Sequence, residues 1–121
     1  MNPAGLVAGF AAFLGIWGGH VAVRKVEATS PTIWIPVIGF VLLGGLLQWF
    51  AFSAHSFTMS IGTGILGITC FWDAFEVIRQ EKRVRKGHAP ANPANPRHRG
   101  ILEASESQAT TLDLLKREPV S

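Results

Sequence analysis

Histidines and two closely spaced carboxylates are the residues of this chain whose types could support chemistry. His20 lies near the end of a long apolar stretch, where a neutral imidazole is able to ligate a haem iron or the magnesium of bacteriochlorophyll. The same side chain is equally able to hydrogen-bond a backbone carbonyl or Glu27. Trp17 lies deeper in the stretch and could pack on a partner protein or on such a ring. We therefore name His20 and Trp17 as candidate cofactor contacts, although the protein requires no cofactor in this interpretation.

The two carboxylates are Asp73 and Glu76, whose spacing of three places them on one face of a helix. Paired carboxylates can relay protons. Arg79 follows Glu76 at the same spacing, so a local ion pair is the simpler interpretation. The sequence shows no nucleophile constellation, phosphate-binding glycine loop or metal-ligand spacing, and we expect that the protein is not an enzyme.

Three apolar stretches must position these residues. The chain has 121 residues, of which 48% are hydrophobic and only 16% are charged, whereas soluble domains carry roughly 25% charged residues. The stretches cover residues 3–23, 33–52 and 57–72, and a spanning helix needs about 20 apolar residues. We predict an all-α protein with three transmembrane helices, the third extending out of the membrane until Gly87 ends it. A single cysteine, Cys70, excludes a disulfide scaffold.

Charge and turn signals predict how the helices are connected and oriented. Ser30 and Pro31 are typical of an N-cap and first-turn proline, so we expect the second helix to begin there. Arg24 and Lys25 lie in the first loop, and five basic residues follow the third apolar stretch within residues 79–86. The positive-inside rule then places the N-terminus outside and the C-terminus in the cytoplasm. We expect a multi-pass protein of a bacterial cytoplasmic membrane.

Small residues recur at a spacing of four in two of the predicted helices, which lets helix backbones approach closely in lipid. The candidate helix-packing residues are Gly5, Gly9, Gly15 and Gly19 in the first helix, and Ser60, Gly64 and Gly67 in the third. The pattern has two interpretations. These residues pack the three helices together, or they dock the protein to another subunit.

The polar end of the third helix begins a second region, so we divide the chain into a transmembrane domain, residues 1–87, and a cytoplasmic tail, residues 88–121. Four basic residues share one face of this helix: Arg79, Lys82, Arg83 and Lys86. We predict that they contact anionic membrane lipid. Nucleic acid is not expected as a partner, because aromatic residues for base stacking are missing between the charges.

The tail carries prolines at every third position, namely Pro90, Pro93 and Pro96. Polyproline II has three residues per turn, so this period predicts a stiff spacer or a ligand for the groove of a partner. His88 and His98 are expected to be solvated. Further along, the segment from Thr111 predicts a short amphipathic helix with Leu112 and Leu115 on one side. We expect these prolines and leucines to dock to a neighbouring subunit.

Three blocks of residues resemble a known sequence family. They are Gly5-Leu-Val-Ala-Gly9 with Phe13-Leu14, His20 and Lys25-Val-Glu27; Gly64-Ile-Leu-Gly67 with Cys70-Phe-Trp72; and Glu76, Gln80, Arg83-Val84 and Lys86-Gly87 followed by Pro90 and Asn92-Pro93. The chain resembles an uncharacterised family of small bacterial membrane proteins, a domain of unknown function, over about residues 5–97. The resemblance implies a membrane location and three helices, and it implies no activity.

These observations favour an accessory or structural subunit of a larger bacterial membrane complex, one for electron transfer or photosynthesis. The tail would dock to a neighbouring subunit. A first alternative is a subunit that contacts bacteriochlorophyll or haem through His20. A second alternative is a self-assembling carrier or proton path that uses Asp73 and Glu76. The expected partners are the other subunits of the complex and membrane lipids.

Overall fold

The computed structural model describes residues 1–113 and 115–119 as four helices and one short antiparallel pair of strands. The elements in chain order are α1 (Ala4–Thr29), α2 (Trp34–Ser53), α3 (Phe57–Arg85), α4 (Pro96–Glu103), β1 (Leu112–Asp113) and β2 (Glu118–Pro119). The first three helices are long and apolar enough to cross a membrane. The prediction of three spanning helices is confirmed, and the chain has the architecture of a membrane protein.

The connection between α1 and α2 differs from the predicted one. α1 continues beyond Val23 and ends at Thr29. The next residue, Ser30, has an extended backbone with φ −79° and ψ 131°, because the ring of Pro31 disfavours helical backbone in the residue before it. The prediction that Ser30 and Pro31 begin the second helix is therefore wrong: Ser30 is the C-cap of α1, and α2 begins at Trp34.

The end of α3 follows the prediction made for Gly87. α3 ends at Arg85, and Gly87 adopts a φ of +75°, which a residue without Cβ tolerates. The backbone N–H groups of Gly87 and His88 donate to the carbonyls of Val84 and Arg83, the two hydrogen bonds of a Schellman motif. The chain leaves the helix in this turn and folds back toward α1.

α3 is the central spanning helix, and it packs against α1 on one side and α2 on the other. The α1 contact is close at Gly15, where an added Cβ would lie 2.6 Å from Thr69 Oγ1. The α2 contact is close at Gly44, where an added Cβ would lie 2.8 Å from the Phe71 ring. Neither pair of helices could approach this closely with a larger residue at these glycines.

Two side-chain hydrogen bonds join α2 to α3. Gln48 Nε2 donates to the Gly64 carbonyl at 2.9 Å, and Ser60 Oγ donates to the Ala51 carbonyl at 2.7 Å. A polar side chain in lipid needs such a partner, because no water is present to replace it. The most polar residue of the second apolar stretch is therefore used to connect two helices.

The tail forms a small packed layer on the end of α3. Its apolar core contains Val84, Ala89, Ala91 and Ile101, with Leu102 and Ala109 packed against them. The Gln108 N–H donates to the Arg85 carbonyl at 3.0 Å, and the Ala91 N–H donates to the Thr110 carbonyl at 2.8 Å. Residues 88–110 are thus tied to the helical body and to one another.

Two predictions for the tail are wrong. The proline repeat is not a polyproline II spacer, because residues 92–95 form a turn and Asn95 caps α4 with Pro96 in its first turn. The segment from Thr111 is not a helix in the residues that are described. It contains β1, and then a turn in which Asp113 Oδ1 accepts from the N–H groups of Leu115 and Lys116, a bond that competes with helix formation. Leu114 lies outside the described residues.

Candidate functional site

The end of α1 meets the tail at a group of polar side chains that we call the tail junction. Its members are Glu27, Glu81, Asn92, Asn95, Arg97 and His98. Glu27 is only 1% exposed, and His98 is completely buried. The prediction that His98 is solvated is therefore wrong, whereas His88 is exposed as expected.

Arg97 joins the two acidic residues of the tail junction. Its Nη1 donates to Glu27 Oε1 at 2.9 Å and to Glu81 Oε2 at 2.7 Å, and its Nη2 donates to the backbone carbonyl of Glu27. Arg85 donates to Glu81 from the other side at 3.2 Å. The guanidinium groups of Arg97 and Arg85 thus neutralise the carboxylates of Glu27 and Glu81. A buried charge without such a partner would be costly.

His98 completes the hydrogen bonds around Glu27. His98 Nδ1 accepts from the Asn92 N–H at 2.8 Å, so the ring proton is on Nε2. Nε2 then donates to Glu27 Oε1 at 2.8 Å. These two bonds fix the tautomer of a neutral imidazole and hold α4 against α1.

The two asparagines of the tail junction cap the end of α1. Asn92 Nδ2 and Asn95 Nδ2 each donate to the Ala28 carbonyl at 2.9 Å, and Asn95 Nδ2 also donates to the Ser30 carbonyl at 3.0 Å. Carbonyls in the last turn of a helix have no partner within the helix. The tail supplies these partners, so it anchors the C-terminal end of α1.

A cleft of about 790 Å³ opens beside the tail junction, between α1, α3 and the tail. Its lining includes Trp17, His20, Val21, Arg24, Glu27, Glu76, Gln80, Arg83, His88, Pro90, Asn92, Asp113 and Leu115. The two candidate cofactor contacts, Trp17 and His20, therefore lie in one cleft. His20 is exposed, and in the described residues its ring forms no hydrogen bond with a carbonyl or with Glu27.

The charges of the cleft are mostly paired. Glu76 accepts from Arg79 at 2.9 Å and from Arg83 at 3.2 Å, and Arg83 Nε also donates to Gln80. Glu76 is thus occupied by two arginines of the basic face. The other members of that face, Lys82 and Lys86, are exposed.

Two acidic groups have less complete surroundings. Glu27 Oε2 is buried and accepts no hydrogen bond in the part of the chain that is described. Asp73 is 8% exposed and lies against Gly19, where an added Cβ would meet its carboxylate. Across residues 1–113 and 115–119, no three His, Cys, Asp or Glu side chains come together in a group that could hold a metal ion.

The candidate packing residues divide into two groups. Gly15 and Gly19 lie against α3, and Ser60, Gly64 and Gly67 lie on the side of α3 that faces α2. At Gly5 and Gly9, by contrast, an added Cβ would meet no atom of the described residues within 4 Å. The first half of α1 thus has an open side.

The candidate docking residues of the tail differ in how far they are exposed. Pro90 lines the cleft, whereas Pro93 and Pro96 are exposed beside the turn that precedes α4. Leu112 is 38% exposed and Leu115 is 93% exposed. The tail therefore presents Leu112 and Leu115 on the β1–β2 hairpin rather than on a helix.

Residues 2–95 match the sequence family DUF4491, which is described as a domain of unknown function. The chain belongs to this family. No curated protein and no solved structure matches it. The DUF4491 match covers α1–α3, the first tail turn and four members of the tail junction: Glu27, Glu81, Asn92 and Asn95. Arg97 and His98 follow the end of the match.

Sequence reasoning missed the tail junction as a unit. Glu27 and His98 are separated by 71 positions, and no local pattern relates them. One signal was present, because Asn95 followed by Pro96 is typical of a helix start. That start would have placed Arg97 and His98 together in the first turn of a new helix.

Proposed function

We propose that this membrane protein is an accessory, structural subunit of a larger membrane complex. The observation that carries the proposal is the open side of α1 at Gly5 and Gly9, where an added Cβ meets nothing within 4 Å in the part of the chain that the structure describes. Helices in lipid associate through close packing rather than through burial of apolar surface, so small residues mark their contacts. Gly15 already serves the contact with α3, which leaves Gly5 and Gly9 for a helix from outside this chain.

The tail supplies a second contact in this proposal. Residues 88–110 are bonded to the helical body, so they are not an extended arm that reaches for a neighbour. The β1–β2 hairpin stands beyond them with Leu115 93% exposed. In this proposal the exposed Leu112 and Leu115 side chains of the hairpin pack against the neighbouring subunit.

The test is a mild-detergent purification from native membranes, analysed by native mass spectrometry. The pair variant Gly5→Leu/Gly9→Leu should purify without the partner subunits that accompany the unaltered protein. Gly18→Leu is the matched control, because its added side chain also enters open space and lies about 180° around the helix from Gly9. Both variants should keep the thermal stability of the isolated protein.

Several results would contradict the proposal. Partner subunits that stay bound to the pair variant would exclude the open side of α1 as the contact. An unaltered protein that purifies alone, or only with copies of itself, would exclude a role in a larger complex. Visible absorbance of the same preparation tests the narrower expectation that the complex carries electrons or photosynthetic pigment.

A further inference from the structure

The cleft beside the tail junction has properties that the proposed function does not use. Its volume of about 790 Å³ falls in the range of about 300–1,000 Å³ that is typical of ligand sites. It is also amphipathic along its length. Trp17 and Val21 belong to the apolar part of α1, Arg24 is the first charged residue after that part, and Leu115 faces the cleft from the tail.

This arrangement identifies where the cleft lies relative to the bilayer. The apolar stretch of α1 ends at Val23, so the boundary between hydrocarbon and water falls within the length of the cleft. A ligand that occupies both parts must have an apolar chain and a polar head. A membrane lipid has this form and reaches the cleft without leaving the bilayer.

The charges of the lining select the head group. In the residues that the structure describes, Glu76 pairs with Arg83 and Glu27 pairs with Arg97, whereas Arg24 and Asp113 have no ion-pair partner. Within residues 1–113 and 115–119, the Arg24 side chain forms one hydrogen bond, from Nε to the His20 carbonyl, which leaves its terminal amino groups for an anion. The cleft thus offers one positive and one negative group.

We propose that the cleft binds one zwitterionic aminophospholipid, with its phosphate at Arg24 and its ammonium group at Asp113. A phosphate matches the forked donors of a guanidinium. An ammonium group supplies N–H donors to a carboxylate. Trp17 and Val21 contact the glycerol and the first part of the acyl chains. An anionic lipid would satisfy Arg24 and leave Asp113 without a partner, so it binds less tightly.

The test is a titration of the delipidated, detergent-solubilised full chain, followed by native mass spectrometry. The probes are phosphatidylethanolamine, phosphatidylcholine, phosphatidylglycerol and free phosphoethanolamine. We expect one bound phosphatidylethanolamine, with an affinity about tenfold above that of the other two lipids, the effect of one charge-assisted hydrogen bond. Free phosphoethanolamine should bind more weakly than the lipid, because it lacks the chains that contact Trp17 and Val21.

Two variants separate the two ends of the head group. Arg24→Gln should lower the affinity for all three lipids about tenfold. The neighbouring residue Lys25 does not line the cleft, so Lys25→Gln should leave the three affinities unchanged. Asp113→Asn should remove the preference for phosphatidylethanolamine and keep the other affinities, because the amide oxygen still accepts from the Leu115 N–H. Glu118→Gln in β2 is the control for this change.

The outcomes that overturn the proposal are distinct. Equal binding of the three lipids would exclude recognition of the ammonium group. A preference for phosphatidylglycerol would make the cleft an anionic-lipid site. Binding of phosphoethanolamine as tight as the lipid would show a site for a soluble phosphate compound. A coloured cofactor that purifies with the protein and is lost in Arg24→Gln would show that the cleft has another occupant.

Discussion

The spanning helices and the tail junction are held together in different ways. Between the helices, the contacts depend on missing side chains: Gly15 and Gly44 let α3 approach α1 and α2 closely. In the tail junction, the contacts depend on polar atoms, with Arg97 and two asparagines donating to carboxylates and to the last carbonyls of α1. Close packing dominates between the helices, where Gln48 and Ser60 add two hydrogen bonds between α2 and α3, and hydrogen bonding dominates in the tail junction.

The difference follows from the surroundings of each region. Lipid chains are as apolar as leucine, so helices gain stability in the bilayer mainly through close packing. At the end of the helices, carbonyls and carboxylates that leave water need partners, and an unpaired buried charge is costly. Added volume should therefore damage the spanning helices, and removal of a polar atom should damage the tail junction.

The largest effect is expected from Arg97→Ala. This variant leaves the carboxylate of Glu27, which is 1% exposed, without its guanidinium, and breaking a buried pair in this way costs about 3–5 kcal/mol. Hydrogen exchange should increase in residues 88–110 and in the last turn of α1, while α2 remains protected. Arg99→Ala, an exposed neighbour in α4, should change stability by less than about 0.5 kcal/mol.

A second variant distinguishes the buried charge from a general loss of packing. Adding Glu27→Gln to Arg97→Ala removes the uncompensated charge and keeps an oxygen that accepts from His98. The double variant should recover part of the lost stability. If it is less stable than Arg97→Ala alone, charge balance is not what the tail junction supplies.

An intermediate effect is expected from Gly15→Leu, which tests the other side of the comparison. The new side chain would meet Thr69, because an added Cβ alone lies 2.6 Å from its Oγ1, and overpacking of this kind costs about 1–3 kcal/mol. Thermal unfolding in detergent measures the loss. Gly18→Leu, which enters open space, should leave the midpoint unchanged, and equal losses in both variants would refute close packing as the cause.

The same contrast explains how much of the structure the sequence predicts. The spanning helices follow from the length of the apolar stretches, and the end of α3 follows from Gly87, a residue suited to positive φ. The α1–α2 connection could not be predicted from Ser30 and Pro31 alone. Pro31 keeps Ser30 extended and so ends α1, but an extended residue before a proline also suits an N-cap, as Asn95 shows at the start of α4. The local pattern therefore does not determine where α2 begins.

The tail could be predicted only in part, because its structure depends on distant partners. The prolines have a period of three, but the asparagines between them determine the outcome by capping α4 and binding α1. The pairing of Glu27 with Arg97 and His98 joins residues about 70 positions apart, and no periodicity reports such a contact. The cleft is lined by residues of α1, α3 and the tail, so no single stretch of the sequence predicts it.

The smallest effect is expected from Asn95→Ser, which separates the two roles of Asn95. Its side chain caps α4 and also donates to carbonyls at the end of α1. A serine can still accept from the Arg97 N–H as the N-cap of α4, but it is too short to reach the carbonyls of Ala28 and Ser30. Loss of two hydrogen bonds should cost about 1–2 kcal/mol, and Asn95→Ala should cost about 1 kcal/mol more because the cap is lost too. Chemical unfolding followed by exchange at the end of α1 measures both. If Asn95→Ser matches the unaltered protein while Asn95→Ala does not, Asn95 serves α4 alone, and the anchoring of α1 rests on Arg97 and Asn92.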